Sequence, residues 1–239
     1  MANSSAPGLV DVLAERDYPG RGVALGRDAD GTGFALYWLT GRSTASRERY
    51  MDVQADTVEV KDASNGPVDA LRHYVAIRRS ATDLVVGNGD QVTPLFERVT
   101  AGTPFEAAVR DIAFEPDPPI FTPRITAYAA LAEDGGMRDV CVSGALPVPG
   151  WPGQAQQRTV HGTALEPGQS LAITTYTGDA ATPTPSGIAL NAPVGGAWQS
   201  VAEKLWAALN PQYRVALIGF DVAQGLGTAI VHARPAAAD

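Results

Sequence analysis

Two short runs near the start of the chain, Gly22-Val-Ala-Leu-Gly26 and Gly33-Phe-Ala-Leu-Tyr-Trp-Leu39, are apolar at nearly every position. Short apolar runs bounded by turn formers read as strands. Asp28-Ala-Asp-Gly31 supplies turn chemistry between them and predicts a hairpin. Residues 50–61 alternate apolar and polar in places and predict another strand. Residues 71–79 and 83–87 predict a second hairpin, and residues 124–131 and 137–146 a further one across Asp134-Gly-Gly136. Residues 171–177, 213–221 and 226–233 complete the predicted strands.

Helical spacing is rarer. Thr103-Pro-Phe-Glu106 has the pattern of a capping box with proline at the first helical position, so a helix is predicted from there to about residue 113. Pro116, Pro118 and Pro119 forbid its continuation. Trp198, Val201, Leu205, Trp206 and Leu209 recur at helical spacing and predict an amphipathic helix with its stripe in the core. Residues 147–157 read as loop, and the Pro-, Gly- and Thr-rich residues 178–196 as a long surface excursion. A polar leader fills residues 1–17, ahead of a single domain over 18–239. Helices separated by runs of hairpins indicate an α+β fold with mainly antiparallel sheet rather than a doubly wound parallel one.

Composition narrows the classes. With 239 residues, 45% of them hydrophobic, the chain can bury a sizeable core, and 18% charged residues is neither a disordered nor a coiled-coil composition. A net charge of −8 argues against nucleic acid as a partner, which needs a basic face. A local arginine cluster can still reverse the field inside one cleft and hold a small anion. The single cysteine rules out an internal disulfide, and Cys141, within Asp139-Val-Cys-Val-Ser143, reads as core filler. No apolar run is long enough to cross a bilayer, and Met1-Ala-Asn-Ser-Ser5 lacks the features of a signal peptide, so a cytoplasmic protein without membrane partners is expected.

Several chemistries lack their residues. There is no phosphate loop ending in Lys and Ser or Thr, no dinucleotide fingerprint after a strand and no Gly-x-Ser-x-Gly elbow. His73, His161 and His232 are far apart in sequence and form no metal-ligand pair, so no metal site is expected. The positive signals sit at strand ends. Gly41-Arg-Ser-Thr-Ala-Ser-Arg47 offers Arg42, Ser43 and Arg47 to a phosphate, or else is a solvated loop. Val85-Val-Gly-Asn-Gly-Asp90 ends a strand in a tight turn. Phe121-Thr-Pro-Arg-Ile125 sets Arg124 at the start of an apolar strand, where it needs a carboxylate or an anionic ligand.

Taken in order, these segments resemble the archaeal-type IMP cyclohydrolases. Tyr18-Pro-Gly-Arg-Gly-Val-Ala-Leu-Gly-Arg27 is similar to the family's opening strand, and Gly41-Arg-Ser-Thr-Ala-Ser-Arg47 to its serine and arginine segment. Tyr74-Val-Ala-Ile-Arg78, Gly87-Asn-Gly89 and Thr122-Pro-Arg-Ile125 match further segments, and Ile173-Thr-Thr-Tyr176 matches more weakly. The resemblance spans roughly residues 18–234; the leader and residues 178–196 depart from it. It implies a four-layer αββα sandwich similar to N-terminal-nucleophile hydrolases but without their nucleophile, consistent with Ala2 at the second position.

The implied activity is dehydrative closure of 5-formamidoimidazole-4-carboxamide ribotide to inosine monophosphate in purine biosynthesis. It implies a purine nucleotide substrate, no cofactor and no metal, and a homo-oligomer. Arg42, Tyr74, Asn88 and Arg124 are the expected catalytic residues. Arg21, Ser43, Arg47, Gly89 and Thr122 are expected to bind substrate or phosphate. Three readings stay open beside it: closure of a different heterocycle precursor in nucleoside-type secondary metabolism, an N-terminal-nucleophile amide hydrolase, and a nucleotide-binding module without turnover.

Overall fold

In the computed structural model, which describes residues 7–63, 69–162 and 164–235, the apolar runs near the start lie between two cores. Strands β1 (Gly22–Arg27) and β2 (Gly33–Thr40) pair antiparallel. In β2, Ala35, Tyr37 and Leu39 enter one core, while Phe34, Leu36 and Trp38 enter another. Successive strand side chains point to opposite faces, so a strand covered on both sides shows no polar alternation. Close packing also dictates glycine: a Cβ on Gly22 would fall 1.9 Å from the ring of Trp38, its cross-strand partner.

A short helix, α2 (Thr44–Arg47), leads out of this hairpin into the second sheet. That sheet runs in chain order through β3 (Arg49–Val53), β4 (Thr57–Asp62), β5 (Tyr74–Arg79), β6 (Asp83–Gly87), β7 (Arg124–Leu131), β8 (Met137–Pro147) and β9 (Ala155–Gly162). The chain then returns to the first sheet as β10 (Gln169–Thr174) beside β1. Strands β11 (Tyr176–Thr177) and β12 (Thr184–Pro185) make a small separate ribbon, and β13 (Ala189–Pro193) pairs with β10. Strands β14 (Arg214–Asp221) and β15 (Ile230–Ala233) complete the first sheet, whose order is β13-β10-β1-β2-β14-β15. Every pairing among the described strands is antiparallel.

The largest core lies between the two sheets and draws Val23, Leu25 and Tyr37 from one and Val60, Ile77 and Ile125 from the other. Helices α1 (Leu9–Ala14) and α5 (Trp198–Ala208) cover the outer face of the first sheet. Helices α3 (Val92–Thr100) and α4 (Phe105–Ala108) cover that of the second. The result is an α+β sandwich of mainly antiparallel sheet in four layers. No helix among the described residues is long and apolar enough to cross a membrane.

Several elements differ from the sequence reading. Residues 50–61 are two strands, because residues 54–56 turn the chain back into the β3–β4 hairpin. The helix predicted over 103–113 contracts to four residues; Pro104 is its cap, its carbonyl accepts the Ala107 and Ala108 amides, and the Thr103 capping box does not form. The longer helix is α3, whose Val92, Leu95, Phe96 and Val99 recur at helical spacing and are buried. Within the predicted leader, Leu9 and Leu13 are buried against α5; residues 1–6, Ala2 among them, lie outside the described residues. The segment read as loop over 147–157 already contains the start of β9, a polar edge strand. The excursion over 178–196 returns to the sheet as β13.

Candidate active site

The two sheets end together at one corner. There the starts of β1, β3 and β5, the end of β2 and the loop before β7 surround a cleft of about 370 Å³. Antiparallel order explains the convergence: neighbouring strands enter and leave at the same end, so residues distant in sequence meet there.

The floor is a buried ion pair. Arg21, just before β1, donates from Nη2 to Glu115 Oε2 at 2.7 Å and from Nη1 to the Asn88 carbonyl at 2.9 Å, and both charged side chains are nearly inaccessible. Burial pushes the Glu115 carboxyl above its ordinary value, with Arg21 pulling the other way. Its Oε1 is buried without a hydrogen-bond partner among the described residues. The Glu115 amide donates to the Thr122 carbonyl at 2.8 Å, which holds the Pro-rich loop folded beneath the cleft. Close to Arg21, Tyr37 and Tyr74 join their hydroxyls at 2.8 Å from opposite sheets. Burial, then the neighbouring Tyr74, raises the Tyr37 hydroxyl.

Thr122 forms one wall. Its amide donates to Asp117 Oδ1 at 2.6 Å, and its hydroxyl contacts both Asp117 Oδ2 and the Tyr176 hydroxyl. Burial lifts Tyr176 to about 12, so it stays a neutral donor at physiological pH. Its ring stacks on Tyr18, which in turn lies under the Arg42 guanidinium.

The opposite wall is basic. Among the described residues, Arg42 donates only to the Ala180 carbonyl, at 3.1 Å, and Arg49 only to the Ser46 and Thr40 carbonyls, at 2.9 and 3.0 Å. Among the described residues neither guanidinium has a carboxylate in ion-pair distance. Arg72, by contrast, is held by Asp62 and Asp69. Ser43 and Ser46 add two hydroxyls between the free arginines, Ser43 capping α2. A protein of net charge −8 therefore presents a local positive patch inside a cleft.

Of the residues singled out in the sequence, Arg21, Arg42, Ser43 and Thr122 line this cleft. Tyr74 and Asn88 lie behind it. The Asn88 side chain is fully buried, donating to the Pro123 carbonyl and accepting from the Ile125 amide and Gln91; it shapes the floor and does not face a ligand. Gly89 sits beside Glu115 and Arg124, where a Cβ would come within 2.7 Å of Gln91 Oε1. Arg124 pairs with Asp90 at 2.6 Å and is not in the cleft lining. Arg47 turns away into a neighbouring pocket and donates to the Arg42 carbonyl at 2.7 Å. Arg49, Glu115, Asp117 and the side chain of Tyr176 received no role from the sequence. Arg49 opens an ordinary-looking strand, and Glu115 lies among prolines with no periodicity to mark it. Among the described residues, no group of three or more His, Cys, Asp or Glu side chains is placed to hold a metal ion.

A family profile described as "IMP cyclohydrolase-like protein" matches residues 18–224. No curated protein matches the chain.

Proposed function

The chain belongs to the IMP cyclohydrolase-like family, and we propose that it closes 5-formamidoimidazole-4-carboxamide ribotide to inosine monophosphate. The observation that carries this reading is the arginine pair Arg42 and Arg49, without a carboxylate in ion-pair distance among the described residues, in a cleft that also offers hydroxyls and, on its floor and far wall, the carboxyls of Glu115 and Asp117. Guanidinium groups left on backbone carbonyls keep donors for a phosphate, and Ser43 and Ser46 add hydroxyls. The cleft volume falls in the range of small-ligand sites, roughly 300–1,000 Å³.

With the phosphate on the arginine wall, the imidazole carboxamide extends towards Arg21, Glu115 and Tyr176. The carboxamide nitrogen attacks the formyl carbon of the same molecule; an N–C bond forms and the carbonyl π electrons move to oxygen. Holding the two substituents together supplies several kcal/mol of the barrier. Glu115 Oε1, without a protein partner among the described residues, takes the proton lost by the attacking nitrogen and gives it to the oxyanion, making the carbinolamine hydroxyl. The formamido N–H proton then passes through the same carboxylate to that hydroxyl as the C–O bond breaks and the C=N bond forms, and water leaves. Arg21 and the neutral Tyr176 hydroxyl stabilise the oxyanion of the carbinolamine. A cytoplasmic homo-oligomer is part of the same reading.

The test is to incubate the purified protein with the formylated ribotide, with and without chelator, and to separate the products by chromatography. Inosinate well above the spontaneous rate is expected, with an Arg42→Ala variant needing more substrate. No turnover in the wild type, or wild-type kcat/KM in both Arg42→Ala and Arg49→Ala, overturns it. Thermal stabilisation by inosinate without turnover would favour the binding-module reading.

A further inference from the structure

On the outer face of the second sheet, away from the cleft, three reactive side chains meet. Cys141 on β8 and His161 on β9 are direct cross-strand partners, with Sγ 3.1 Å from Nδ1. The far ring nitrogen, Nε2, lies 2.9 Å from Oε1 of Glu106 on α4. A carboxylate at Nε2 keeps the proton on that nitrogen and leaves the Nδ1 lone pair facing the thiol. Nucleophile, base and orienting carboxylate thus stand in line at hydrogen-bond distances. Beside them opens a cavity of about 280 Å³, walled by the stacked rings of Phe105 and Tyr128. It shares no lining residue with the cleft.

We propose that Cys141, His161 and Glu106 form a second, thiol-based site that joins the Cys141 sulfur to small uncharged electrophiles, His161 taking the proton. In addition to an electron-poor carbonyl, the S–C bond forms, the carbonyl π bond breaks, and the thiol proton passes through His161 Nδ1 to the new hydroxyl. In displacement of a halide, the carbon–halogen bond breaks, halide leaves, and the proton goes from His161 to solvent.

The ligand class follows from the lining. Glu106 and Asp139 are its carboxylates, and neither arginine nor lysine is present, so anions are repelled. The remaining titratable neighbour, Tyr128, donates its hydroxyl to Asp83 at 2.9 Å and is not available to the sulfur. Burial, followed by Glu106 and Asp139, raises the thiol to about 11. The sulfur therefore reacts only if its proton leaves during the attack, which is the task of an oriented imidazole.

Because Cys141 is the only cysteine, intact-mass spectrometry of the full chain reads the reaction directly. The folded protein and the chain in denaturant are each treated with iodoacetamide, and separately with iodoacetate, at pH 7. An unfolded thiol near 8.5 is about 3% thiolate, whereas one at about 11 is roughly 0.01%. Burial alone therefore predicts a folded rate about 300-fold below the unfolded one. The expected result is a folded rate with iodoacetamide at or above the unfolded rate, and a selective handicap for iodoacetate. His161→Gln should slow it by roughly 10²-fold, with a smaller loss in Glu106→Gln. Both side chains are substantially exposed, so the variants should fold, and neither should alter inosinate formation. A folded rate hundreds of times below the unfolded one, unchanged by His161→Gln, overturns the proposal and leaves Cys141 an inert core thiol.

Discussion

Replacing Arg21 by methionine tests the floor of the cleft most sharply. The guanidinium donates to Glu115 Oε2 and to the Asn88 carbonyl, and both charged side chains are nearly inaccessible to solvent. Once it is gone, Glu115 either stays charged and unpaired or takes up a proton. Protonation sets the ceiling: holding a carboxyl of ordinary value near 4.3 neutral at pH 7 costs about 3.7 kcal/mol, at 1.36 kcal/mol for each pH unit. The orphaned Asn88 carbonyl adds about 1 kcal/mol or more. Arg21→Met should therefore lose about 3–5 kcal/mol at pH 7, the range for breaking a buried pair from one side. At pH 5 the protonation cost falls to about 1 kcal/mol, so the loss should shrink with it. Urea unfolding at the two pH values reads both numbers, and Arg21→Met/Glu115→Met should recover most of the stability because no buried charge remains. A single variant that loses less than about 1 kcal/mol at pH 7, or a loss that does not change with pH, would refute the reasoning.

Other consequences are checked more simply. Arg42→Ala should raise KM by roughly 10- to 150-fold with little change in kcat, since one charge-assisted hydrogen bond is worth about 1.5–3 kcal/mol; steady-state kinetics decides. Glu115→Gln should lower kcat by roughly 10²–10⁴-fold with KM nearly unchanged. Because the folded Glu115 value lies above the unfolded one, the native state binds that proton more tightly. In the window between the ordinary carboxylate value and the raised one, wild type should lose stability with rising pH relative to Glu115→Gln, as followed by thermal unfolding. Gly22→Ala should cost about 1–3 kcal/mol, a drop of several degrees in Tm, because the Trp38 ring occupies the space of the new methyl.

What the sequence made legible is what local pattern encodes. The β1–β2 hairpin and the strands from β5 to β8 were readable because burial on both faces demands continuous apolar runs between turn formers. Strand β9 was not, since an edge strand with alternating exposure reads Ala-Gln-Gln-Arg-Thr-Val-His-Gly and carries no apolar period. Missing β9 also hid the partner of Cys141, because only the β8–β9 register brings His161 opposite it. Helix α3 is encoded in the spacing of Val92, Leu95, Phe96 and Val99, whereas the local capping pattern at Thr103 points to the four-residue α4. Among the site residues, Arg21, Arg42, Ser43 and Thr122 belong to the matched segments and reach the cleft. Glu115 and Arg49 do not announce themselves, because their significance is a lack of neighbours that only the fold defines: an unpartnered carboxylate oxygen and a guanidinium without an acid.

The polar floor also ties the two sheets together, and this makes stability and activity separable by experiment. Arg21 enters β1 of the first sheet, while Asn88 and Glu115 follow β6 and precede β7 of the second. Tyr37 and Tyr74 repeat the link from β2 to β5. An apolar pair at positions 21 and 115 would close the same corner without a desolvation cost, so cohesion of the sandwich does not by itself require the charges. What the charges alone supply is a buried acid with one free oxygen beside a fixed cation, facing a cleft whose other wall can hold an anion. Arg21→Met/Glu115→Met should thus fold with near wild-type stability and form no inosinate. If that double variant kept turnover, the ion pair would be a structural clamp, and the proton transfers would have to be assigned to the tyrosines and Thr122.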